Sequence, residues 1–232
     1  MKKVVVVEGL ISGGKTTLAR ELGHALGETT LILTEPDEKD NANPYLADFY
    51  ADMPRYAFTM QCHLLSLRYR MHLNAQWYAM QGQGHAVMDR SYFGDTAFAR
   101  LQLKTGTMTQ REFDTYVTLY KNMTASVLHP TVCVRVQVTP EVAQKRIQRR
   151  IGREPGRACE SVVALDYLRT LDREIDYMVD TLRQQGVIIL DLPWNDDRDT
   201  KASRSSVIGD LARRIEEVTP VDIFLNDHRR TI

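Results

Sequence analysis

The chain has 232 residues, 43% of them hydrophobic, enough to bury one substantial core and better suited to one domain than to two. Its 30 basic and 30 acidic side chains cancel, so the total carries no basic footprint of a nucleic-acid binder, and a small charged substrate fits better than a duplex. Three scattered cysteines without zinc-ligand spacing, no apolar run near the roughly 18 residues of a membrane span, and a strand-like run already begun at Val4 predict a cytoplasmic protein with reduced thiols, no membrane span and no signal peptide.

The first apolar run, Val4 to Glu8, leads into Gly9-Leu10-Ile11-Ser12-Gly13-Gly14-Lys15-Thr16, and a helix-like stretch follows from Thr17 to Leu26. Strand, glycine-rich loop, Lys-Thr and helix in that order form a complete phosphate-binding loop. The glycines let backbone N–H groups turn inward around a polyphosphate, Lys15 reaches the β and γ phosphates, and the Thr16 hydroxyl suits Mg²⁺. Gly9, Ser12, Gly13, Gly14, Lys15, Thr16 and Thr17 are therefore the candidate contacts to a nucleoside triphosphate.

A second strand is predicted from Leu31 to Glu35, where Pro36 stops it. A short helix from Pro44 to Tyr50 precedes a long one from Pro54 to Met80, which lacks internal proline and glycine. A third strand, Ala86 to Asp89, ends in Asp89-Arg90-Ser91. A helix over 109–126 starts at the cap candidate Thr109, and a fourth strand runs from Val132 to Val138. The arginine-dense interval Arg149 to Ser161 contains Gly152, Pro155 and Gly156 and reads as a mobile flap rather than a strand or packed helix. The last strand is Val187 to Leu190, and the tail after Pro220 reads as loosely ordered. Strands alternating with helical patterns predict an α/β fold, a doubly wound parallel five-stranded sheet with helices on both faces, in one domain over residues 1–232 with an arginine-rich lid at about 146–161.

Ligands gather at the carboxyl ends of strands in such sheets, and the chemistry-bearing residues lie there. Glu35 suits a general base for an attacking hydroxyl. Asp89 suits Mg²⁺, beside an Arg90 guanidinium suited to transferring phosphate. Arg146, Arg150, Arg153 and Arg157 offer cover for a phosphoryl group whose charge spreads in a loose transition state. No guanine-reading Asn-Lys-x-Asp follows, which speaks against a GTPase. Gln61 and Arg68 stand two turns apart on the long helix and share a face with Leu64 and Leu65. His63, His72 and His85 read as surface or packing residues, and Trp77 with Tyr78 as a satellite core cluster in preference to a subunit contact.

At these residues the chain resembles the deoxynucleoside kinase family, from the first strand to about residue 195. Glu35-Pro36, Asn43-Pro44-Tyr45-Leu46, Asp52-Met53-Pro54-Arg55-Tyr56, Asp89-Arg90-Ser91 and Lys145-Arg146-Ile147 are especially similar to the bacterial deoxyadenosine and deoxyguanosine kinases. The resemblance implies Glu35 as base toward the sugar 5′-hydroxyl, Arg90 beside that hydroxyl and Asp89 on the metal side. It implies Tyr50 on the 3′-hydroxyl, Gln61 reading the base, and Arg68 with Asp95 as the pair found in members that accept deoxyadenosine, deoxyguanosine or deoxycytidine. It further implies ATP as donor with Mg²⁺, a homodimer built on the long helix and the 109–126 helix, and an adenine-covering loop at Pro193-Trp194-Asn195-Asp196.

Two departures qualify the match. Many members carry a tryptophan soon after the Glu-Pro pair, where this chain has Asp37-Glu38-Lys39-Asp40, and the flap is several residues longer than usual. Arg146 and Arg150 align, Arg153 and Arg157 compete for the third place, and Glu160 is preferred to Glu154 as the flap carboxylate near the 3′-hydroxyl. A nucleoside monophosphate kinase and a noncatalytic nucleotide-binding subunit with this fold remain the rivals.

Overall fold

The computed structural model describes residues 1–34, 43–196 and 200–219. Five strands form one wholly parallel sheet in the order β2-β3-β1-β4-β5, with β1 (Val4–Gly9), β2 (Leu31–Leu33), β3 (Ala86–Asp89), β4 (Val132–Gln137) and β5 (Ile188–Pro193). The central strands read as unbroken apolar runs because both faces are covered, and Val4 to Gly9 are all buried. The register aligns Val7 with Asp89 and Glu8 with Arg135, bringing the ends of β1 and β3 together.

Helix α1 (Lys15–Ala25) packs with α8 (Lys201–Glu217), as the leftward crossover from β1 to β2 requires. The rightward crossovers put α3 (Met53–Met80), α4 (Tyr92–Lys104) and α7 (Leu165–Gln184) on the opposite face, with α5 (Gln110–Thr124) against α3 and α4. Short α2 (Leu46–Ala51) leads into α3, whose start is fixed by the Asp52 carboxylate accepting from the Arg55 amide at 3.2 Å and by Pro54 in the first turn. Helix α5 begins at Thr109 through a reciprocal capping box with Glu112.

Several sequence expectations are corrected. The second strand is only Leu31–Leu33, and Glu35 lies outside the described residues. The last strand runs to Pro193 because it pairs with β4 as far as Gln137, and as an edge strand it tolerates the missing proline N–H. The flap expectation fails at both ends. Arg146, Arg149 and Arg150 belong to α6 (Pro140–Ile151), and Pro155–Val162 forms a 3₁₀ segment packed against α6 and α2. Ion pairs from Arg150 and Arg157 to a buried Glu160 fasten that segment, which composition alone could not reveal. Trp77 is no core residue, being 64% exposed, while Tyr78 donates its hydroxyl to the Thr29 carbonyl at 2.7 Å. The segment after Pro220 lies outside the described residues.

Candidate active site

Strand β1 ends by delivering its backbone into a tight loop, and two glycines there have steric reasons. A Cβ on Gly9 would stand 2.8 Å from the Val136 carbonyl oxygen, and Gly14 has φ +86° with the Trp194 Nε1 only 2.9 Å from where its Cβ would be. Ser12 also takes a left-handed φ of 56°. Lys15, buried, donates from Nζ to the Leu10 carbonyl at 2.6 Å and so lies across the loop. Lys15 and Thr16 open α1, which directs the first-turn amides toward the loop's concavity.

Thr16 donates its hydroxyl to Asp89 Oδ2, so the two residues chosen for Mg²⁺ from sequence meet directly. Asp89 Oδ1 is buried with no hydrogen-bond partner among the described residues. A hydroxyl and a carboxylate with an unused oxygen, at the mouth of a phosphate loop, are hard oxygen donors of the kind Mg²⁺ takes together with substrate phosphates.

Beyond Asp89, Arg90 has φ 67°, a left-handed conformation uncommon for a long side chain, and its guanidinium lies 5.0 Å from the centre of the Phe98 ring. The backbone turn is held by the Arg90 amide donating to the Val7 carbonyl at 3.0 Å. This places a buried cation beside the phosphate loop.

A cavity of about 640 Å³ opens over these groups. Its floor is the loop from Ile11 to Thr17 with Asp89 and Arg90. One wall comes from α2 and α3 through Phe49, Tyr50, Met60, Gln61, Leu64 and Arg68, and the rim comes from α6 and the 3₁₀ segment. Gln61 is fully buried, and neither its amide oxygen nor its amide nitrogen has a hydrogen-bond partner among the described residues. An amide left so in a cavity wall is suited to a ligand that both donates and accepts. Arg68 forms an ion pair with Asp95, which is fully buried in the first turn of α4. Burial first, and the neighbouring Arg90 second, lower the Arg68 pKa to about 10, so it stays cationic at neutral pH.

Tyr50 and Glu160 meet on the rim. The Tyr50 phenol is pushed well up by burial, then by Tyr167 and by the Glu160 carboxylate. Glu160 is buried, accepts from Arg150, and accepts from Arg157 Nη1 at 3.2 Å, whereas Glu154 is exposed. Arg153 is exposed at the cavity and makes no ion pair among the described residues, while Arg157 is engaged with Glu160. Arg146 turns toward the loop after β5, its Nη2 donating to the carbonyls of Trp194, Asn195 and Asp196 at 2.9, 3.2 and 3.0 Å.

The residues chosen from sequence thus line one cavity, except Glu35, which lies outside the described residues, Gly9 at the base of the loop, and Asp95, which is joined to the cavity wall through Arg68. Phe98 and Tyr167 line it as well and were missed. Phe98 follows Asp95 by three positions on α4, one turn along the same side of the helix, and that spacing was the available signal. Tyr167 comes from α7, remote in sequence, and had none.

Residues 5–217 match the sequence model of a family described as Deoxynucleoside kinase. A deoxyguanosine kinase of Dictyostelium discoideum is 32% identical over 83% of this chain and 64% of its own, and a deoxyadenosine kinase of the same organism 34% identical over 72% and 62%. This chain therefore spans a little under two thirds of the length of those two relatives. A Bacillus subtilis deoxyadenosine/deoxycytidine kinase is 33% identical over 65% of this chain and 66% of its own. The fold matches that of a deoxyadenosine kinase from M. mycoides with bound dATP, at TM-score 0.70 and 20% identity over 90% of this chain and 98% of that one.

Proposed function

Since this chain belongs to the deoxynucleoside kinase family, we propose that it transfers the γ-phosphate of ATP to the 5′-hydroxyl of a deoxynucleoside, deoxyadenosine or deoxyguanosine first and deoxycytidine as a third acceptor. The observation that carries this reading is the convergence in one cavity of a phosphate loop, the Thr16–Asp89 pair, Arg90, and a buried Gln61 beside the Arg68–Asp95 ion pair. The names of the relatives support the purine preference, and the Bacillus subtilis kinase supports deoxycytidine.

In this mechanism the loop amides and Lys15 hold the β and γ phosphates, with Gly9, Ser12, Gly13, Gly14 and Thr17 shaping the cradle. Thr16 and Asp89 would hold Mg²⁺, which when bound offsets phosphate charge. Glu35 takes the proton from the 5′-hydroxyl, and Arg90 orients that hydroxyl from its fixed turn. Gln61 reads the base edge, Arg68 and Asp95 set which base fits, and Phe98 stacks on the base, replacing the tryptophan absent after Pro36. Tyr50 and Glu160 take the 3′-hydroxyl. Arg150 and Arg153 cover the transferring phosphoryl group, while Arg146 steadies the Trp194 to Asp196 loop over the donor.

A homodimer and a cytoplasmic location complete the proposal. Leu73, Trp77 and Met80 are exposed at spacings of four and three along α3, with Leu119 exposed on α5, which supports a subunit contact there. Among the described residues no helix is long and apolar enough to cross a membrane.

The test is ATP-dependent phosphorylation of the four natural deoxynucleosides and their 5′-monophosphates with Mg²⁺, read by product separation. Phosphorylated deoxyadenosine or deoxyguanosine is expected. Turnover of monophosphates alone would move the chain to monophosphate kinase chemistry, and silence on all eight would favour a noncatalytic role.

A further inference from the structure

Glu8 has no part in the mechanism above, yet it is a fully buried carboxyl group in the last turn of strand before the phosphate loop. Its Oε1 accepts from the Ser91 hydroxyl at 2.6 Å. Both carboxyl oxygens press on the first turn of α4, at 2.6 and 2.8 Å from where a Cβ on Gly94 would stand, so only glycine fits there. Its Oε2 has no hydrogen-bond partner among the described residues. Burial pushes its pKa up from the ordinary glutamate value, opposed in part by Arg90, the Ser91 hydrogen bond, Arg68 and Lys15.

We propose that Glu8 is a positioning residue for the acceptor half of the site: its carboxylate fixes the Asp89-Arg90-Ser91 turn and the start of α4. It thereby sets where Arg90 and Asp95 stand relative to the phosphate loop, which begins at the next residue. The inference rests on the kinase reading for its catalytic consequence and on geometry for its structural one. Arg90 departs from β3 with φ 67°, a conformation that persists only where its surroundings impose it. The Ser91 side chain is engaged on both sides, donating to Glu8 and accepting from the Gly94 amide at 3.4 Å as the cap of α4. Asp95 follows in that first turn, carrying Arg68 with it. Donor and acceptor sites are thus joined through one carboxylate on β1 and one hydroxyl on the β3–α4 turn.

Glu8→Gln preserves shape but removes the carboxylate charge and turns one of its two acceptor oxygens into a donor NH₂, which cannot accept from the Ser91 hydroxyl. The full-length variant should lower kcat for deoxyadenosine at least about tenfold and raise its KM several-fold, while the Kd for ATP stays within about twofold. Ser91→Ala should show the same pattern more weakly, and the double variant should lose less than the product of the two. A Glu8→Gln enzyme with unchanged kcat and KM per folded molecule and only a lower melting temperature would overturn the proposal. So would equal losses toward ATP and nucleoside. If Glu8→Gln does not fold, Ser91→Ala decides by the same criteria. If the wild type phosphorylates no deoxynucleoside, the kinase reading falls, and the ligand-free crystal structure of Glu8→Gln decides the positioning role. Arg90 displaced from its left-handed turn over Phe98 supports the role, and Arg90 unmoved overturns it.

Discussion

A buried ion pair beside an amide without a hydrogen-bond partner among the described residues is the residue-scale feature to which the proposed selectivity is assigned. Arg68 and Asp95 lie almost wholly out of solvent, so removing one partner leaves the other uncompensated at a cost of about 3 kcal/mol or more, whereas replacing both avoids that penalty. Arg68→Met with Asp95→Ala should therefore fold, and the ratio of kcat/KM for deoxyadenosine to that for thymidine should fall at least about tenfold, measured by product separation. Glu35→Gln should lower kcat by about 100-fold or more with unchanged thermal unfolding, as expected for loss of a general base. His72 supplies a pH signature. It is buried, its Nε2–H donates to the Leu128 carbonyl at 2.9 Å, and burial lowers its pKa from 6.5 to about 4. Below pH 6.5 the unfolded chain binds a proton that the folded one refuses, so stability falls as pH drops from 6.5 toward 4, by about 3 kcal/mol at most. Melting temperatures of wild type and His72→Leu should converge or cross between pH 7 and pH 5.

At the scale of elements, capping decides boundaries and leaves the chemistry alone. Helix α5 does not line the cavity, yet its capping box fixes both orphan amides and side chains at its start. Thr109→Ala should cost about 1 kcal/mol in urea denaturation with kcat unchanged. The start of α5 was read from Thr109 as a cap and that of α3 from Pro54, and the structure adds Glu112 as the capping-box partner and Asp52 as the cap. The segment from Pro155 to Val162 was not readable. Its order comes from Glu160 paired with Arg150 ten positions earlier across two glycines and a proline, a contact no local signal encodes.

At the scale of the whole molecule, α3 carries an exposed apolar stripe, Leu73, Trp77 and Met80, that no described residue covers. Trp77, set by sequence among core residues, is instead largely exposed with Met80. For the proposed homodimer, Trp77→Glu should give a monomer where wild type gives a dimer in light scattering coupled to size exclusion, because a charge in an apolar interface is costly to desolvate. By itself the sequence determined the parallel sheet, the phosphate loop, and the candidacy of Asp89, Arg90, Gln61 and Arg68. Strand runs, glycine spacing and helix periodicity are local and act through backbone geometry, so they are written in neighbouring residues. Only the tertiary structure decided that Glu160 rather than Glu154 is buried beside Tyr50, that Arg146 turns to the carbonyls after β5, that Phe98 and Tyr167 join the cavity, and that Glu8 meets Ser91. Each of these depends on which side chains distant in sequence share a dry interior, and that is fixed by packing of whole elements.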